Sequence, residues 1–111
     1  DKELKSQGNS ITEGIGTGRI TKNYEKAIVD EAFQTSDVEA LNIVYDLIIS
    51  QKIVLGGSSG INIAGAIKLA KKLGPNKNIV TILCDDGRRY ASKIFNKKFL
   101  KEKNLPIPKW L

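Results

Sequence analysis

The stretch Leu55–Ala70, LGGSSGINIAGAIKLA, decides how the rest of the chain is read. An apolar run, KIVL, stops at two glycines, and two serines and a third glycine follow. From Ile61 to Leu73 a helical pattern takes over. Its apolar stripe is Ile61, Ala64, Ile67, Ala70 and Leu73, with Lys68, Lys71 and Lys72 on the wet side and in the last turn, where cations suit the helix dipole. Gly74 and Pro75 stop it. The spacing predicts a strand over Lys52–Gly57 handing over to a helix. Gly56 and Gly57 would make the turn, Ser58 or Ser59 would cap the helix, and Gly60 and Gly65 would allow close packing.

On the N-terminal side, TSDVEALNIVYDLIIS predicts a second helix. Ser36 and Glu39 have capping-box spacing, and Val38, Leu41, Val44, Tyr45 and Ile48 form an apolar face. KAIVDEAF (26–33) reads as a strand. Residues 1–24 are polar and glycine-rich, with glycines at 14, 16 and 18, and read as loop, with room for a short helical turn around Ser10 to Glu13. On the C-terminal side, NIVTILC (78–84) is a continuous apolar run bounded by DDG. It reads as a fully buried strand of the kind found in parallel sheets. Short helical pieces are expected around 90–95 and 97–103. The alternation argues for an α/β fold, part of a mostly parallel sheet with flanking helices. Three regions follow: a loop segment over 1–24, an α/β portion over 25–95, and a basic tail over 96–111.

With 111 residues the chain can bury a core, and it has one cysteine, Cys84, and no histidine. An internal disulfide, a Cys/His zinc site and a Ser-His-Asp triad are therefore excluded, and no metal is expected. Sparse cysteine suggests the cytoplasm. The chain opens DKELKSQGNS, without methionine, and reads as part of a longer product. Net charge is +6. From Arg88 onward eight basic residues face Glu102 alone, so the basicity is local. With no binding motif beside it, nucleic acid is not expected, and no apolar stretch approaches the ~20 residues of a membrane span. Phe95, Phe99 and Trp110 have core-like or anchoring spacing rather than that of a base-stacking platform.

In open α/β sheets ligands sit beyond the carboxyl ends of the strands. If the two apolar runs lie side by side, Ser58, Ser59, Cys84, Asp85 and Asp86 share one crevice. GGSSG is neither a dinucleotide fingerprint nor a Walker loop. A serine hydroxyl both donates and accepts, so it suits a neutral ring nitrogen.

EGIGTGRIT, VDEAF, GGSSGINIAGAIKLAKKLGP, IVTILCDDGRRYASKIFN and FLKEKNLPIPKWL follow one another as in the bacterial cysteine synthases. The chain resembles the C-terminal portion of these O-acetylserine sulfhydrylases, and the related cystathionine β-synthase core, over essentially its whole length. The resemblance implies the type II pyridoxal-phosphate fold, pyridoxal 5'-phosphate as cofactor, O-acetyl-L-serine and sulfide as substrates, L-cysteine and acetate as products, and a homodimer. It implies that Ser58, next to Gly57, faces the pyridine nitrogen. Cys84 and Asp85 would flank the ring, where many family members have Pro-Ser. Gly14, Ile15 and Gly16 would line the substrate side. It also implies that the Schiff-base lysine, the substrate loop bearing asparagine and the phosphate cradle lie in an upstream segment, so that no catalytic residue is expected within these 111 residues and the missing N-terminal portion is a required partner. A non-catalytic interaction domain is the alternative.

Overall fold

The computed structural model describes residues 9–16 and 18–111. A short helix, α1 (Lys22–Glu25), starts at Thr21, whose hydroxyl accepts from the Tyr24 amide. The first long helix, α2 (Asp37–Gln51), begins with the predicted capping box. The Ser36 hydroxyl accepts from the Glu39 amide at 3.2 Å, and the Glu39 carboxylate accepts from the Ser36 amide at 2.8 Å. These bonds, with help from Lys68, lower the Glu39 carboxyl to about 2. The cap is therefore charged throughout the neutral range.

The second long helix, α3 (Gly57–Leu73), packs along α2. Gly60 sets their separation, because a Cβ there would stand 2.5 Å from the Ala40 carbonyl oxygen and 3.0 Å from a Val44 methyl. Lys68 crosses from α3 to Glu39 at 2.9 Å and also donates to the Gln34 carbonyl, while Lys72 pairs with Glu31 at 2.6 Å. Two lysines of the expected wet face thus pin residues 31–34 against the helix pair. The helix begins four residues earlier than the pattern predicts. Its N-cap is Gly56, with no side-chain cap, and neither serine caps it. Gly57, Ser58 and Ser59 form its first turn, and Ser59 turns its hydroxyl to another segment.

That segment is 78–87. It follows the end of α3 and meets residues 54–56. The Gly56 amide donates to the Asp85 carbonyl at 3.1 Å, the Gly87 amide donates to the Val54 carbonyl at 3.2 Å, and Leu55 and Asp86 form an antiparallel bridge. A 3-10 turn (Gly87–Tyr90) then leads into α4 (Ala91–Ile94) and α5 (Lys97–Glu102). The Asn96 side chain caps α5 by accepting from the Phe99 amide at 3.1 Å.

The core joins α2 to the C-terminal segment. Leu41, Val44 and Tyr45 of α2 close on Ile94 and Leu100, and Ile11, Tyr90, Phe95, Phe99, Leu105 and Leu111 surround them. The Tyr45 hydroxyl donates to the Ile94 carbonyl at 2.7 Å. Its ring meets Trp110 edge-on at 5.8 Å, and Phe95 completes the cluster. The aromatic residues of the C-terminal segment are therefore packing residues. Burial raises the Tyr45 hydroxyl from 10.0 to about 12. The unfolded chain releases this proton first, so the contribution is complete below about pH 10 and is lost as pH climbs toward 12. Tyr45→Phe is expected to flatten that alkaline decline relative to the parent chain, as read by chemical denaturation at stepped pH.

The mostly parallel sheet expected from the sequence is not formed among the described residues. Neither 26–33, 52–57 nor 78–84 is a strand there, and the one β contact, Leu55 with Asp86, is antiparallel. The physical reason is the want of neighbours. A strand is stabilised by a ladder and by cross-strand side chains. In the 78–84 run Val80, Ile82 and Leu83 are 92%, 70% and 53% exposed. Ile28 and Val29 are likewise exposed. The radius of gyration is 15.0 Å; a compact chain of this length would have about 13 Å.

Candidate functional site

The first turn of α3 is the floor of a cleft with about 330 Å³ of empty space, part of it open to solvent. Gly57 and Ser58 lie on one side, Ile11, Thr12 and Glu13 on the second, and Tyr90, Lys93 and Ile94 on the third. The packing below is tight. A Cβ on Gly57 would stand 2.8 Å from the Thr12 hydroxyl oxygen, and one on Gly56 would run into an Asp85 carboxylate oxygen and the Tyr90 ring. Glycine is required at both positions if the loop and the Tyr90 ring are to approach the helix start this closely.

The two serines divide the work. Ser59 is fully buried, and its hydroxyl accepts from the Cys84 amide at 2.9 Å. One turn further along α3, the Asn62 side-chain amide donates to the Ile82 carbonyl at 2.9 Å and reaches the Cys84 sulfur at 3.4 Å. Ser59 and Asn62, three apart on one helix, thus hold the 82–84 segment by its backbone. Ser58 lines the cleft instead. Among the described residues no side-chain hydrogen bond uses its hydroxyl, which leaves it free for a ligand atom.

The remaining expected site residues are distributed as follows. Gly14, Ile15 and Gly16 lie just past Glu13, exposed, with Gly14 and Gly16 in left-handed conformations at φ 72° and 73°. The Cys84 side chain is exposed and outside the cleft wall. Asp85 reaches the cleft through Tyr90, whose hydroxyl donates to its carboxylate, and Arg89 stands 3.7 Å from the same carboxylate oxygen. The bond to Asp85 raises the Tyr90 hydroxyl above its ordinary value. The other Asp85 oxygen is buried and has no hydrogen-bond partner among the described residues. Asp86 takes no part in the cleft. It caps the 3-10 turn and grips the Arg88 guanidinium, which lowers its carboxyl to about 2.

Sequence reading missed several wall residues: Ile11, Thr12 and Ile94, and, among the polar ones of the C-terminal side, Tyr90 and Lys93. Lys93 meets Glu13 across 80 residues of chain at 2.6 Å, and the pairing lowers the Glu13 carboxyl below its usual range. The one available signal was their spacing of three on a short helical piece directly after DDG. The surrounding run of lysines hides it. Among the described residues no cluster of His, Cys, Asp and Glu could hold a metal ion, and no helix is long and apolar enough to cross a membrane.

Comparison with known proteins bears on what such a cleft serves. Over residues 1–85 the chain matches the family described as pyridoxal-phosphate dependent enzyme. It is 42% identical over 98 residues to a cysteine synthase of Dictyostelium discoideum, covering 88% of this chain and 26% of that protein. It is 42% identical over 106 residues to cysteine synthase 1 of Neurospora crassa, covering 94% and 28%. A bacterial relative, the cysteine synthase of Buchnera aphidicola, is 38% identical over 105 residues, covering 93% and 32%. The chain therefore spans between a quarter and a third of the length of these relatives. The family match takes in both the EGIG loop and the serine-bearing turn that meet at the cleft, and it extends over well more than half of the residues: this chain belongs to the pyridoxal-phosphate dependent enzymes.

Proposed function

We propose that these residues are the pyridine-facing wall of a pyridoxal-phosphate dependent cysteine synthase, which makes L-cysteine and acetate from O-acetyl-L-serine and sulfide. The observation that carries this reading is the uncommitted Ser58 hydroxyl on the cleft at the first turn of α3. The donor set suits the cofactor on this side. A neutral hydroxyl can meet the ring nitrogen, and Gly57 keeps the wall free of a side chain. When bound, the cofactor supplies an electron-withdrawing ring that lets the substituent on the substrate β-carbon leave and be replaced. With the cofactor bound, the Ser58 hydroxyl would meet the pyridine nitrogen without holding a full proton on it. That moderates the ring's pull and favours β-replacement over other outcomes.

The other residues position this wall. Ser59 and Asn62 fix the 82–84 segment, and Asp85 holds the Tyr90 ring at the cleft. Asp85 acts on the ring side through Tyr90, whereas Cys84, expected beside the ring, stands outside the cleft wall and has no role in holding the cofactor there. Gly14, Ile15 and Gly16 provide the substrate side of the loop. The Schiff-base lysine and the phosphate cradle belong to the part of the relatives' length that this chain does not span. Here Lys68, Lys72 and Lys93 are each engaged by a carboxylate. Strands from that same part complete a mostly parallel sheet on the exposed Val80, Ile82 and Leu83, giving the C-terminal part of the type II fold. The complete enzyme is a cytoplasmic homodimer.

Borohydride reduction of the complete, cofactor-loaded protein, followed by peptide mapping, tests the assignment. The pyridoxyl group is expected on a lysine outside these 111 residues, with continuous formation of L-cysteine and acetate before reduction only when O-acetyl-L-serine and sulfide are both supplied. A pyridoxyl group on Lys93, or no attachment to any lysine, overturns it.

A further inference from the structure

Residues 10–13 cross the Ser58 cleft and are held at both ends. At one end Asp37, in the first turn of α2, accepts from the Ser10 hydroxyl at 2.7 Å and from the Ile11 amide at 2.9 Å. At the other end Glu13 meets Lys93 of α4 at 2.6 Å. Between them Thr12 stands against Gly57, so closely that a Cβ on that glycine would be 2.8 Å from its hydroxyl oxygen. The segment therefore lies over the floor residue next to Ser58.

The two attachments are unequal. The Asp37 end has two hydrogen bonds, one of them to a part-buried backbone amide. The Glu13 end rests on a single ion pair, with the Glu13 side chain 73% and the Lys93 side chain 35% exposed. Just past Glu13 the backbone passes through Gly14 and Gly16, both at positive φ, and a Cβ on Gly14 would touch nothing within 4 Å. Glycine moves between such conformations at little steric cost. One end is a fixed anchor, and the other can be released next to a ready hinge.

We propose that residues 10–13 are a strap over the cleft, latched by the Glu13–Lys93 pair, and that releasing the latch admits a small ligand to Ser58. The strap rests on the geometry of the cleft and not on the cofactor reading. An ion pair this exposed biases the closed form by only about two- to five-fold, which suits a latch that opens often.

Thiol labelling reads the gate directly. In the complete protein, Ser58→Cys in a Cys84→Ser background places a thiol on the floor of the cleft; iodoacetamide is the small neutral probe, and peptide mapping reads the label at position 58 alone. Adding Lys93→Gln is expected to raise the labelling rate about two- to five-fold. About 1 M salt, which weakens exposed ion pairs, should shift the latched protein in the same direction and add nothing to the Lys93→Gln variant. The exchanged pair Glu13→Lys with Lys93→Glu should restore slow labelling. Equal rates with and without the latch overturn the strap. So does faster labelling accompanied by lost amide protection in α2, because that is general loosening and not a gate.

Discussion

Ser58→Asp in the complete enzyme is expected to lower the rate of β-replacement by at least about tenfold, while the cofactor still binds. The reasoning starts from the hydroxyl. Ser58 lies on the cleft with no side-chain hydrogen bond among the described residues, so nothing in the fold competes for it. A hydroxyl offers one proton and two lone pairs, and it leaves the pyridine nitrogen neutral. A carboxylate beside the same nitrogen stabilises its protonated form, and each unit of pKa shift is worth about 1.4 kcal/mol, roughly a factor of ten in population. The ring would then withdraw electrons more strongly, and flux would move away from replacement at the β-carbon. Ser58→Ala separates charge from the simple loss of a bond, since it removes the bond without adding a charge. Its rate should fall less than that of Ser58→Asp. Equal turnover in Ser58→Asp and the parent enzyme would contradict the role given to this residue.

Leu100→Ala is expected to destabilise the chain by about 2–5 kcal/mol, the usual range when a fully buried leucine is cut back to alanine. Leu100 has no exposed surface and packs with Leu41, Val44, Tyr45 and Ile94. It fastens α5 to α2, so the cavity left behind would sit between the C-terminal segment and the helix that supports α3. Little else compensates, because the buried apolar set is small and the 78–84 run contributes exposed side chains instead of core. Lys101→Ala, on the exposed side of the same helix, should change stability by less than about 0.5 kcal/mol. Denaturant titration of both variants makes the comparison. A similar midpoint for both would mean that the C-terminal segment is not part of the cooperative unit.

What could be read from the sequence was mostly local. The Ser36–Glu39 box needs only residues three apart, and α2 begins where that spacing puts it. Gly74 and Pro75 end α3 for equally local reasons. The pairing of GGSSG with DDG was legible as a meeting of two chain corners, and Gly56 and Asp85 do join there. The start of α3 was not legible. The serine pattern looks like a cap, and only the position of Cys84 shows that the Ser59 hydroxyl is spent on holding another segment. The sheet was not legible from either side. Apolar runs state that a strand is possible, while pairing depends on a neighbour that the described residues do not supply. Glu13 and Lys93 were hidden by distance along the chain, because nothing in the pattern links a glycine-rich loop to one lysine among many.

The central claim is that Ser58 faces a neutral pyridine nitrogen, and nitrogen-15 NMR of the complete enzyme loaded with ring-labelled cofactor tests it most directly. The account predicts a resonance in the unprotonated region for the parent protein and a move to the protonated region in Ser58→Asp. A parent resonance already in the protonated region, or one that does not respond to substitution of Ser58, would contradict it.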